Sequence, residues 1–440
     1  MTKKNILKLS LLLLILNGCS DLKNVIGSKS EPKLEGKRIN IIKIESELSS
    51  DPDLAGLNVI LPNLQNNYEV LNSNFSQNNL PENIKFETQF QSHEHRVFNK
   101  FKYSNISLHP PMLIANGVIY VSNNIELRAY SETDLKTPIW VKQIHSTGSN
   151  KEQLGGGMVY NDKKIYITAG HREIIAINAE NGKEIWRHTL NNISRSSPVV
   201  YNDKVYVMTI DNKLYALSTE DGNIFWMHEG AESEIGVFGS PSLAIANNIV
   251  IVPHSSGQLH ALNSITGEEI WSVNLAFSKS NLEGFALNDI DTTPLIVGRN
   301  IYVAANMGSF YSIDLETGQL NWKQEIKEVK TFWYAGEYLF AINQDMELFA
   351  IHSKSGKIKW IVRLEDQVIK SKSKSVFYGP IVANDMIFVT SSEGDLLFIS
   401  PNNGKTLSKK KIAKNFVSLP MIIKNKIYIF SKNSILNIVE

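Results

Sequence analysis

The stretch Ala261-Leu262-Asn263-Ser264-Ile265-Thr266-Gly267-Glu268-Glu269-Ile270-Trp271 decides the fold, because it recurs. Residues 176–186 read AINAENGKEIW, 216–226 ALSTEDGNIFW, 312–322 SIDLETGQLNW and 350–360 AIHSKSGKIKW, and in every copy the Gly precedes the Trp by four. A unit returning every ~40–50 residues is the signature of a propeller or solenoid, whose repeats bury their faces only by stacking.

Working outward from the third copy shows what one repeat contains. Pro198-Val199-Val200 is a short apolar run, and Asn202-Asp203 is a turn. Lys204-Val205-Tyr206-Val207-Met208 alternates, Asp211-Asn212 turns, and Leu214-Tyr215-Ala216-Leu217 is a third strand. Asp221-Gly222 turns the chain again before Ile224-Phe225-Trp226. Short β-rich runs bounded by Asn, Asp and Gly are hairpins. Each repeat is therefore predicted to be a four-stranded antiparallel sheet whose outer strand bears the Trp. The planar ring beside a tight Gly turn is suited to wedge between neighbouring sheets, with its N–H finding a carbonyl. Trp140, Trp186, Trp226, Trp271, Trp322 and Trp360 are read as such structural docking residues.

Repeats beginning near residues 110, 156, 198, 241, 294, 332 and 380 number seven, and the two chain ends share one more. The expectation is an all-β, eight-bladed propeller of four-stranded blades. An N-terminal strand in the last blade closes the ring and removes exposed edges. That strand is placed in residues 57–75, with Tyr68 where other repeats have Trp. Two repeats depart from the pattern: Ser408 replaces the Trp of the seventh, and Lys136 replaces the Gly of the first.

The formal charge of +1 indicates neither nucleic acid nor an acidic surface as partner, and 42% hydrophobic residues is ordinary for a globular chain. Residues 1–18 have a basic start at Lys3, Lys4 and Lys8, followed by an apolar core too short to span a bilayer. They end in Leu16-Asn17-Gly18-Cys19, which resembles a bacterial lipobox. Cys19 is the only cysteine in the chain, so it has no disulfide partner and is read as the lipid attachment site, carrying palmitate-like acyl chains. Ser20 rather than Asp follows it, which by resemblance to the lipoprotein sorting rule implies the outer membrane. The expected organisation is a signal peptide at 1–18, a lipidated flexible tether at 19–56 and the propeller at 57–440.

Candidates for chemistry are few. Asp289 and Asp291 lie two apart in the longest insertion between repeats, with no His, Cys or further acid close enough in sequence to complete a hydrolase or metal set. His93-Glu94-His95, with His109 nearby, matches no strong ligand spacing and reads as a polar loop. Gly155-Gly156-Gly157 lacks the Lys-Ser/Thr of a phosphate loop. No catalytic residue, metal or cofactor is expected.

The repeated unit resembles the tryptophan-docking motif of quinoprotein (PQQ) dehydrogenases, an eight-bladed propeller family. That resemblance implies the fold. The family's catalysis uses a vicinal cysteine disulfide, and a chain with one Cys lacks it. A second resemblance covers nearly the whole chain. The lipobox, the tether, the Leu61-Pro62 strand and the repeats are similar to the BamB family of outer-membrane lipoproteins. This implies a non-enzymatic scaffold of the outer-membrane β-barrel assembly (BAM) complex, at the periplasmic face. Asp289-Ile290-Asp291-Thr292-Thr293-Pro294 is similar to the family's D-x-D-T-T-P loop, which implies that Asp289 and Asp291 dock on a POTRA domain of BamA. The family's other docking segment corresponds to Trp226-Met227-His228-Glu229, making His228 and Glu229 further partner-binding candidates, with Glu229 where the family carries Arg. Edge strands would offer β-augmentation to unfolded outer-membrane proteins. The alternatives are a PQQ-binding oxidoreductase and a propeller for another envelope ligand, such as a sugar or polymer.

Overall fold

Asparagine and aspartate set the hairpins. Asn116, Asp162, Asn202, Asn247 and Asn384 all adopt positive φ between the first and second strands of their sheets, the conformation that tight two-residue turns require. The computed structural model describes residues 48–73, 80–98, 111–123, 125–144, 156–168, 172–194, 196–231, 241–275, 290, 292–305, 308–326, 328–368, 375–413 and 415–440. The signal peptide, Cys19 and the tether up to residue 47 lie outside the described residues, as do Asp289, Asp291 and His109.

The described strands form an all-β propeller. Sheets follow one another along the chain at 112–143, 157–189, 199–229, 244–274, 295–325, 329–363, 377–411 and 421–439. Each runs antiparallel, with its first strand leading and the Trp-bearing strand at the far edge where a Trp is present. The expectation of uniform four-stranded blades is corrected at one place. Seven sheets have four strands, but the sheet at 377–411 has six. Its first strand, Phe377–Ala383, is extended in parallel by Ile84–Lys85 and then by Gln65–Asn66.

A second correction concerns closure. An N-terminal strand does complete the last sheet, but it is Ser92–Arg96 and not residues 57–75. Ser92 pairs with Val439 and Arg96 with Ile435, antiparallel throughout. His93-Glu94-His95 is therefore strand and not loop. The strand is exposed almost along its length, so it carries no apolar alternation to mark it in the sequence. Tyr68 is 59% exposed and does not take the place of a docking Trp. Register puts His93 opposite Ile438, which faces Tyr428, so His93 holds the place that Trp holds elsewhere. Closure is also apolar. Met421, Tyr428, Phe430 and Ile438 of the last sheet pack in one core cluster with Met112, Ile114 and Val121 of the first.

Residues 57–73 and 80–86, besides giving the two parallel strands of the six-stranded sheet, instead contact several sheets in turn. The Ile60 carbonyl lies against Gly336, and the Trp333 indole donates to the Glu82 carbonyl at 2.9 Å. Asn67 donates to Ile422 O at 2.8 Å, Val70 bridges Ile114, and Asn72 bridges Val159. Residues 48–56, expected as the end of the flexible tether at 19–56, are docked as well, so that expectation is corrected for its described part. Asp51 N–H donates to Ile358 O at 2.7 Å, Leu54 is buried, and the Lys359 ammonium donates to the carbonyls of Leu54 and Leu57.

Candidate functional site

The recurring Gly and Trp form their contact across sheets, not within one repeat. Trp140 lies on Gly182, Trp186 on Gly222, Trp226 on Gly267, Trp271 on Gly318, Trp322 on Gly356 and Trp360 on Gly404. Each indole N–H donates to a carbonyl of the following sheet: Ala179, Thr219, Ser264, Leu315, Ser353 and Pro401, at 2.6–3.2 Å. Within its own sheet each Trp faces a small residue, Ala129, Ala176, Ala216, Ala261, Ser312 or Ala350. The seventh sheet inverts the pair, with Phe398 opposite Ser408, so the bulk moves to the other strand. The first sheet carries Lys136 at the Gly place, and the strand before it in the ring carries His93, so no indole needs the space. Sequence reading missed one partner of this lock. The hydroxyls of Tyr120, Tyr166, Tyr206 and Tyr302 reach the same carbonyls as the indoles. Burial raises the phenol of Tyr120 to about 12, so it remains a donor.

Of the docking candidates, the structure describes the frame around Asp289 and Asp291. Ile290 is fully buried between the fourth and fifth sheets. Thr292 Oγ1 donates to Ala304 O at 3.0 Å and accepts from Ala304 N–H at 2.9 Å. Thr293 Oγ1 accepts from Ser242 N–H at 3.0 Å. The hydrophobe and the two threonines thus pin the end of the insertion to the second strand of the fifth sheet, Asn300–Ala305, and to the entry of the fourth at Ser242.

His228 and Glu229 end the strand Ile224–Glu229, and alternation sends them to opposite sides. Glu229 is exposed and pairs with Lys213 at 2.9 Å. His228 turns toward the fourth sheet, where its ring centre lies 5.3 Å from that of His260 and 6.1 Å from that of His254. The rings of His254 and His260 are 4.5 Å apart. His260 Nδ1 meets Glu269 Oε2 at 2.7 Å. His254 and His260 are buried, and Nε2 of His228, Nε2 of His260 and both ring nitrogens of His254 have no hydrogen-bond partner among the described residues. Burial pushes His254 down to about 3, the neighbouring imidazoles adding to the effect. His228 is lowered for the same reasons, with Glu269 opposing. Burial raises Glu269, yet its hydrogen bonds to His260 and Ser272 leave it below the usual carboxylate value. Gly230 makes room for the cluster, since a Cβ there would sit 1.8 Å from His254 Cε1. The four side chains come from separate strands and from the turn after Ile249–Pro253, and no ligand spacing announces them in the sequence.

A family model described as outer membrane protein assembly factor BamB matches residues 123–362. The outer membrane protein assembly factor BamB of Yersinia pestis is 25% identical over 308 residues, covering 69% of this chain and 77% of the relative. That of Escherichia coli (strain K12) is 26% identical over 336 residues, covering 75% and 83%. An uncharacterized protein of Rickettsia conorii is 29% identical over 340 residues, covering 74% and 80%. Among solved structures, BamB from Moraxella catarrhalis superposes with a TM-score of 0.64 at 19% identity, over 77% of this chain and 99% of that one. A europium-containing methanol dehydrogenase gives 0.54 at 13%, over 76% and 84%. Both structural likenesses speak for the fold alone, which assembly factor and dehydrogenase share. The family match spans more than half of the residues, and on that ground the chain belongs to the outer membrane protein assembly factor BamB family.

Proposed function

We propose that this protein is a non-catalytic scaffold of the outer-membrane β-barrel assembly complex that assists insertion of barrel proteins by binding BamA. The observation that carries the reading is the family match over residues 123–362. The chain is an eight-bladed ring in this reading, the six-stranded sheet serving as a blade like the seven others. The core clusters support this, since one joins the sheet at 377–411 to the last sheet and another joins the last sheet to the first. Cys19 carries the lipid, residues 19–47 form the tether, and the propeller sits at the periplasmic face of the outer membrane. Asp289 and Asp291 dock on the POTRA domain of BamA, on an insertion whose end is held by Thr292 and Thr293. A redox role is disfavoured by the single cysteine, which leaves no vicinal disulfide. Among the described residues no helix is long and apolar enough to cross a membrane.

The test is co-purification of BamA from mildly solubilised envelopes through a C-terminal tag, with wild type beside an Asp289→Arg, Asp291→Arg variant. BamA with wild type and its loss from a folded variant are expected. BamA missing from wild type overturns the scaffold reading. BamA retained by the variant overturns the docking loop alone.

A further inference from the structure

The cluster between the third and fourth sheets is chemically unfinished. Its three imidazoles are packed together with four ring nitrogens unpartnered among the described residues, three of them on the buried rings of His254 and His260. A buried polar atom left unpaired costs about 1–3 kcal/mol, so a folded protein that keeps several in one place has a reason to. Apolar packing is not the purpose, because smaller apolar side chains would fill the space without the polar cost.

We infer that His228, His260 and Glu269 form a binding site for a divalent transition metal of the zinc type, with His254 packed against it. One donor atom from each of the first three lies within 4.8 Å of the other two. Tetrahedral zinc with donors at about 2.0–2.2 Å needs donor separations of about 3.3–3.5 Å. Binding would draw the widest pair together and open the 2.7 Å contact of His260 Nδ1 with Glu269 Oε2, so that both groups reach the ion. Nitrogen-rich donors select zinc, copper or nickel over calcium and magnesium, which take oxygen. His228 belongs to the outer strand of one sheet while His254, His260 and Glu269 belong to the next, so the ion would staple two blades at their rim. Gly230 serves this geometry by leaving His254 its place.

The test uses the full chain in detergent, with a tag free of histidine, stripped by chelator. Zn²⁺ is titrated calorimetrically into wild type, His228→Gln, Glu269→Gln and the control His352→Gln, whose histidine lies in the sixth sheet. Expected are one equivalent bound with Kd below about 10 μM, weakening of at least about tenfold in each of the first two variants, and no change in the control. Calcium binds none of them at this site. Because a variant could misfold, zinc-edge X-ray absorption on wild type provides an independent reading, with histidine scattering from two or more rings expected. Binding weaker than about 10 μM, an all-oxygen shell, or equal binding by folded variants overturns the inference.

Discussion

Replacing Gly222 by Ala tests the claim that the recurring Gly and Trp are one device spanning two sheets. Gly222 sits at φ +73°, and an added Cβ would come within 2.6 Å of Trp186 Cε3. The left-handed conformation costs an L-residue about 1–2 kcal/mol. Displacing a ring that is 8% exposed and hydrogen-bonded to Thr219 O at 3.2 Å adds about 1–3 kcal/mol. Gly222→Ala should therefore cost about 2–5 kcal/mol, and Trp186→Ala about 3–5 kcal/mol. With the indole gone, alanine at 222 meets open space and only the backbone cost of about 1–2 kcal/mol remains. The double-mutant cycle, measured by urea denaturation with circular dichroism, should then show about 1–3 kcal/mol of coupling, the pair together being less harmful than the sum. Coupling of zero, with Gly222→Ala equally costly in both backgrounds, refutes the cross-sheet lock.

Two other substitutions address features of single sheets. Phe398→Ala removes a buried ring packed 4.7 Å from Phe388 and 5.3 Å from Phe90, and should cost about 3–5 kcal/mol in the same denaturation assay. A cost under about 1 kcal/mol would show that Phe398 does not replace the missing Trp of that sheet. Lys359→Met deletes the ammonium that holds the carbonyls of Leu54 and Leu57. Limited proteolysis should then cut within residues 48–57 at least several-fold faster than in wild type while the sheets stay intact, and an unchanged cleavage pattern would show that the segment is held by other contacts.

Read from one dimension, the chain discloses what is local or periodic. Hairpin turns, strand alternation and the Trp–Gly motif depend on residues within about a dozen positions of each other, the repeat shows as their return every ~40–50 residues, and each has a backbone or packing cause visible in residue type. The same logic placed Trp140, Trp186, Trp226, Trp271, Trp322 and Trp360 as docking residues, and the structure seats each on a neighbour's turn. What it could not disclose is pairing between segments far apart in sequence. Ser92–Arg96 completes the last sheet through backbone hydrogen bonds that any residue can make, so its exposed side chains gave no sign of it. Tyr68 is aromatic and in roughly the right region, yet the chain beside it meets the sheets through a side-chain hydrogen bond of Asn67 and single bridges of Val70 and Asn72, which leave no strand period in the sequence. The histidine cluster is the extreme case. His228, His254, His260 and Glu269 share no motif, and only the stacking of two sheets, with a glycine where a Cβ would collide, brings them together. Residue chemistry acts along the chain, so sequence alone determined the blades. Tertiary structure decided what meets between them, because that depends on which strands become neighbours when the ring closes.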